Sequence, residues 1–159
     1  MQELRVYIET SVWSHVFHDD TPDFQRATVE FLTQAKERVF APYISTIVLD
    51  EVARANPQRR EGLLGEIAAV RPTLLRGSEQ ADALARRYVE AGVLPLTDEV
   101  DALHVAIATV YELDVLASWN QRHLANIRRR DLFNSVNRVA GYRKMLEIAN
   151  PLEVLYERD

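Results

Sequence analysis

The 159-residue chain has no cysteine, which excludes a disulfide framework, a thiolate zinc site and a cysteine nucleophile together. No apolar run approaches the ~18 residues of a membrane span. The opening MQELRVYIE also lacks an apolar core of signal-peptide length. A cytoplasmic, membrane-free protein is therefore expected, in keeping with the missing thiols. A basic excess is missing as well. The formal net charge is −5, whereas a non-specific nucleic-acid binder is usually basic. No internal repeat, low-complexity tract or long linker divides the sequence.

What is present describes an ordinary globular protein: 47% of residues are hydrophobic and 27% charged. A single domain over residues 1–159 is expected, able to bury roughly 70% of the surface its unfolded chain would expose. Charge is unevenly spread, with Arg122, His123, Arg128, Arg129 and Arg130 all between Trp119 and Asp131. Such a run is either a solvated face or, beside a site, a phosphate contact.

Periodicity supplies the elements. Residues 4–8 (LRVYI) read as a buried strand, followed by a short helix over 12–17 capped by Thr10 or Ser11. Residues 23–38 have helical apolar spacing. Residues 39–44 (VFAPYI) read as a second strand, which Pro42 pushes towards a sheet edge or a bulge. Ser45 caps a helix to about residue 55, placing Glu51 on the stripe of Ile47, Val48, Val52 and Ala55. Helices over 58–70 and 78–91 follow, with Gly92 closing the second.

Residues 98–110 then form a helix apolar on nearly every face, interrupted from residue 100 only by Asp101, His104 and Thr109. Such a helix is buried, and a buried acid needs a partner. Residues 113–118 read as a short buried strand with Asn120 just past its end. A helical turn over 121–126, a helix over 131–139, a strand over 144–148 and a terminal turn over 151–156 complete the chain.

Strands alternating with helices imply a mainly parallel sheet covered on both faces, an α/β class. Ligands of such sheets bind beyond the carboxyl ends of the strands. Glu9 and Asn120 both follow strands, so they share that edge.

Glu9, Glu51, Asp101 and Asn120 are thus four oxygen-bearing side chains with a common destination. Oxygen ligands suit a hard cation, Mg²⁺ or Mn²⁺, which activates water and stabilises charge on a phosphate. Clustered acids repel one another unless a cation neutralises them. Each residue also has an ordinary role open to it. Asp101 can complete a capping box begun by Asp98, Glu51 can pair with Arg54, Glu9 can accept backbone N–H groups, and Asn120 can cap a turn. His104 reads as a hydrogen-bonded core histidine beside the site. His15 and His18 read as a surface pair, and Trp13 and Trp119 as core or site walls.

The segments VYIETSVWS, ISTIVLDEV, DALHVAIAT and LASWNQRHLAN, in this order, resemble the motifs of PIN-domain nucleases. The closest likeness is to VapC-type toxins of type II toxin–antitoxin pairs and their unassigned relatives. The resemblance runs from Val6 to about Asn126, is weaker over 58–92 and after Arg130, and is most specific in DALHVAIA with SWNQRHLAN. It implies a Rossmann-like α/β/α sandwich and a Mg²⁺- or Mn²⁺-dependent ribonuclease, often homodimeric and partnered by an antitoxin. Carried over residue by residue, the family's acids fall on Glu9, Glu51 and Asp101, its fourth position on Asn120 and its small hydroxyl on Ser11. Two positions depart from the family: Glu9 stands where aspartate is usual, and Asn120 carries no charge. Arg122, Arg128, Arg129 and Arg130 become candidate RNA-backbone contacts. A non-catalytic PIN-like module that binds RNA or protein is the alternative, kept open by Glu9 and Asn120.

Overall fold

The computed structural model describes residues 3–157, so the ends of the expected 1–159 domain lie outside the described residues. Five strands form one sheet: β1 (Arg5–Ile8), β2 (Ala41–Ser45), β3 (Thr73–Leu75), β4 (Val115–Ala117) and β5 (Glu147–Ala149), in the order β3-β2-β1-β4-β5. Every pairing is parallel, with Val6 opposite Pro42 on one side and Val115 on the other. Eight helices complete the described residues: α1 (Thr10–His15), α2 (Pro22–Lys36), α3 (Thr46–Ala53), α4 (Pro57–Val70), α5 (Glu79–Glu90), α6 (Glu99–Val110), α7 (Ile127–Val139) and α8 (Pro151–Val154), with a 3₁₀ turn at Leu96–Asp98.

The strand order explains the layers. The chain steps outward from β1 to β2 to β3, then returns across β1 to β4 and β5. Right-handed crossovers put the helices of the two directions on opposite faces. Accordingly α1, α2, α4 and α8 pack among themselves, as do α5, α6 and α7, while α3 touches both groups. The reversal lies between β1 and β4, where open parallel sheets bind ligands.

Tyr7, Ile8, Trp13, Phe31, Leu116 and Phe133 are completely buried, each large side chain contributing about 1.5–3 kcal/mol of transfer free energy. Helix α6 is the central one expected, buried continuously from His104 to Thr109. Helix α5 ends at Gly92, whose φ of +74° suits glycine. There Val93 N–H reaches the Tyr88 carbonyl and Gly92 N–H that of Val89, a Schellman closure.

Several sequence expectations are corrected. Pro42 is not on an edge strand, because β2 lies between β1 and β3. Ala41 N–H faces β1, donating to the Leu4 carbonyl, so the missing N–H of Pro42 faces the other side. There β3 begins to pair only at Tyr43, and no ladder bond is lost. Helix α1 starts at Thr10 and is capped by Glu9, not by Thr10 or Ser11. Strand β3 was not expected: its three residues are mostly exposed and show no alternation. Residues 121–124 form a hydrogen-bonded turn on the Asn120 carbonyl and not a helix. Helix α7 starts at Ile127, four residues early, because Asn126 caps it through the Arg129 N–H.

Candidate metal centre

The site is assembled at the carboxyl edge of β1 and β4. Glu9 leaves β1 in an extended conformation, its N–H still bonded to the Ala117 carbonyl of β4. Its side chain, 5% exposed, turns back over the first turn of α1. Ser11 N–H donates to Oε2 at 3.2 Å, and the Ser11 and Ser118 hydroxyls donate to Oε1. Trp119 N–H in turn reaches Ser11 Oγ at 2.9 Å, and Asn120 N–H reaches Ser118 Oγ at 2.9 Å. Two hydroxyls therefore lock the ends of β1 and β4 onto one carboxylate.

Glu51 comes from the last turn of α3, on the face that buries Val48 and Val52. Its Oε1 accepts Thr10 Oγ1 at 2.7 Å and lies 2.6 Å from His104 Nε2. Burial pushes this carboxyl up, but the hydrogen bond and charge of His104, then the Thr10 hydrogen bond and the charge of Arg54, hold it below the usual carboxylate range. Arg54 acts on it through charge, and the direct pairing open to Glu51 is not formed among the described residues.

Asp101 is in the first turn of α6. The capping-box role open to it is not taken up, since Asp98 makes no side-chain capping bond. Burial first, and the Glu9 carboxylate next, push Asp101 up to about 6. Asn120 donates from Nδ2 to Asp101 Oδ2 at 3.1 Å, and its Oδ1 accepts His123 N–H at 3.1 Å. The amide thus caps its turn and touches the acid at once.

Glu9, Glu51 and His104 bring donor atoms within 4.8 Å of one another, and Asp98, Asp101 and His123 form a neighbouring group of the same size. His123 Nδ1 lies 2.7 Å from Asp98 Oδ2. The donor set fits a hard divalent cation: carboxylates dominate it, and positive charge would offset the burial and the neighbouring acids that lift Asp101.

The basic run divides. Arg130 is held by Glu147 at 2.6 Å and by Asp131 at 3.6 Å, and the Arg129 guanidinium donates to the Val93 carbonyl. Among the described residues, Arg122 and Arg128 are exposed and make no side-chain hydrogen bond or ion pair. Trp119 is a wall: it is 8% exposed, donates to Thr28 Oγ1 at 2.8 Å and packs on Phe24 and His15. Thr10, Ser118, Asp98 and His123 were not singled out as site residues from sequence. Their signal was position, since each adjoins a candidate ligand in the chain or one turn away.

No family model matches the sequence, and no curated protein is significantly similar to it. A solved structure does match in three dimensions. It is a chain in the crystal structure of VapBC2 from Rickettsia felis bound to a DNA fragment from their promoter. The likeness has a TM-score of 0.56 and 17% identity, and covers 92% of this chain and 100% of that one. The fold is PIN-like. The five-stranded parallel sheet between two helical layers is thus the three-layer sandwich expected from the motifs. In this PIN-like fold the acids lie at the sheet's reversal point, and no described helix is long and apolar enough to cross a membrane.

Proposed function

We propose that the chain is a metal-dependent endoribonuclease, hydrolysing RNA phosphodiester bonds at the edge where Glu9, Glu51 and Asp101 meet. The observation that carries this reading is that three acids from three separate elements lie at the reversal point of a PIN-like sheet, Glu9 and Glu51 in one group of ligand atoms and Asp101 in the neighbouring one, near enough for the Glu9 charge to raise its pKa. Glu9, Glu51 and Asp101 hold Mg²⁺ or Mn²⁺, with Asn120 beside them. The bound cation supplies charge stabilisation at the phosphate and lowers the pKa of water.

The protein's own groups prepare that chemistry. Ser11 and Ser118 fix the Glu9 carboxylate, and Thr10 and His104 keep Glu51 ionised. Asn120 orients Asp101, whose raised pKa stores affinity for positive charge. Arg122 and Arg128 grip the RNA backbone, beginning two residues after Asn120. By likeness to VapC-type toxins, the chain acts as the toxin of a pair, is restrained by an antitoxin and associates with a second copy of itself.

The test is RNA cleavage by purified protein with Mn²⁺ or Mg²⁺. Cleavage that stops on adding EDTA, and is missing in Asp101→Ala, supports the reading. Activity surviving Asp101→Ala belongs to a contaminant and withdraws the support.

A second reading, a non-catalytic PIN-like module for RNA or protein, is favoured by one observation. Both Glu9 oxygens are already hydrogen-bonded inside the protein. Absence of cleavage together with absence of any Mn²⁺-induced rise in melting temperature would select it. A ligand at 100 times its Kd stabilises by about 2.7 kcal/mol, well within detection.

A further inference from the structure

We infer that His104 is a positioning residue for this site, fixing the Glu51 carboxylate relative to Asp101 through a hydrogen-bond chain that starts at the cap of α3. The inference rests on the reading of Glu51 as a metal ligand.

His104 is wholly buried and lies one turn after Asp101 on α6. Both of its ring nitrogens are used. Nε2 is 2.6 Å from Glu51 Oε1, and Nδ1 is 2.5 Å from the Tyr7 hydroxyl. That hydroxyl lies 2.6 Å from Ser45 Oγ, which accepts the Ile47 N–H at 3.2 Å as the cap of α3. One set of directions uses each donor once. Ser45 donates to Tyr7, Tyr7 donates to Nδ1, and Nε2–H donates to Glu51. An ionised carboxylate can only accept, so the ring nitrogen facing Glu51 is an Nε2–H donor.

The chain closes a loop through three elements. Ser45 caps α3 and Glu51 lies near the end of the same helix, so α3 is tied to α6 at both ends, at its cap through Tyr7 of β1 and at Glu51 directly by His104. Asp101 shares α6 with His104. One imidazole therefore sets the spacing of two acids that belong to different elements. Thr10 donates to the same oxygen of Glu51. Both bonds fall on Oε1, so Oε2 would be the oxygen left for a cation. A residue that merely filled the core would satisfy packing, but would not need one polar atom aimed at a carboxylate and another at a phenol.

Two near-isosteric variants separate positioning from packing. In His104→Gln the amide Nε2 falls near the imidazole Nε2 and keeps the bond to Glu51. In His104→Asn the amide falls near Nδ1 and keeps only the Tyr7 contact. Mn²⁺ binding to the full chain is read from the electron paramagnetic resonance signal of free Mn²⁺, with melting temperature in EDTA measured alongside. Loss of a group that orients a metal ligand weakens affinity about 10- to 100-fold, and that loss is expected for His104→Asn. His104→Gln should stay close to wild type, although both variants lose stability in EDTA.

Equal affinities in the two variants, whether both weakened or both unchanged, overturn the inference while leaving the metal site intact. A wild-type chain that binds no Mn²⁺ overturns the functional reading and the inference with it. If the His104 variants do not fold, Tyr7→Phe keeps the ring and cuts the chain at its middle. Unchanged Mn²⁺ affinity in folded Tyr7→Phe overturns the inference, and weakened affinity supports it.

Discussion

The Asn120 side chain bridges Asp101 and the backbone of His123, donating to the first from Nδ2 and accepting from the second at Oδ1, both at 3.1 Å. Flipping the amide would lose both bonds. An aspartate in its place keeps the acceptor for His123 but sets a second carboxylate against Asp101. Asn120→Asp should therefore lower the melting temperature in EDTA, since losing a hydrogen bond to a charged group costs about 1.5–3 kcal/mol. It should also bind Mn²⁺ more tightly, so the Mn²⁺-induced rise in melting temperature exceeds that of wild type. An unchanged melting temperature in EDTA would contradict the observed bridge.

Asp101 also makes stability depend on pH. Its folded pKa of about 6 is above the ~3.9 of an unfolded aspartate, so the folded state holds the proton more tightly. The stabilisation is complete below the unfolded value and is lost as pH rises through the folded one. In EDTA, lowering pH from about 7.5 to 5 should thus stabilise the protein through this group. His15 opposes it in the same window: burial and His18 lower its pKa, and protonating it on acidification costs stability. Glu51, held low, loses its contribution only at more acid pH. The difference between wild type and Asp101→Asn isolates the effect. Parallel melting curves against pH for the two proteins would reject it, and saturating Mn²⁺ should flatten the wild-type curve.

Sequence periodicity was enough to bring Glu9 and Asn120 to one sheet edge, because strand ends in a parallel sheet share a side. Glu51 was legible for a related reason: a polar residue at position i+3 from Val48 breaks an otherwise apolar stripe. What was hidden depended on reach and on pairing distant in sequence. The extra methylene of Glu9 lets its carboxylate turn back to the Ser11 N–H, a cap that shorter side chains usually supply. Arg130 looked like a free cation because its partner Glu147 is on β5, beyond the whole of α7. The continuity of His104 with Ser45 through Tyr7 joins residues on three elements, and no local pattern encodes it.

The division among the arginines predicts two different phenotypes. Arg122→Ala with Arg128→Ala should weaken RNA binding and flatten its salt dependence. Removing one cation from a single-strand phosphate reduces the slope of log K against log salt by about 0.7. Arg130→Ala should leave that slope unchanged and lower the melting temperature instead. The stability loss will be small, since partly exposed ion pairs contribute about 0.2–1 kcal/mol. A reduced salt slope in Arg130→Ala would place it on the RNA after all.

Two glycines of α4 test how this helix braces α1. At Gly65 an added Cβ meets nothing within 4 Å, so Gly65→Ala should gain the ~0.5–1 kcal/mol by which alanine exceeds glycine inside a helix. At Gly62 the same atom would lie 2.8 Å from Phe17 Cζ. The Phe17 ring is half-buried just beyond α1 and lies under the Arg59 guanidinium at 4.9 Å. It must move to make room, and overpacking of this kind costs about 1–3 kcal/mol. Thermal melts in EDTA should therefore place Gly62→Ala below Gly65→Ala by roughly 1 kcal/mol or more. Because α1 carries Thr10 and Ser11 against Glu51 and Glu9, displacing Phe17 should also weaken Mn²⁺ binding in Gly62→Ala but not in Gly65→Ala. Equal melting temperatures for the two variants would show that Phe17 yields freely and that α4 does not brace α1.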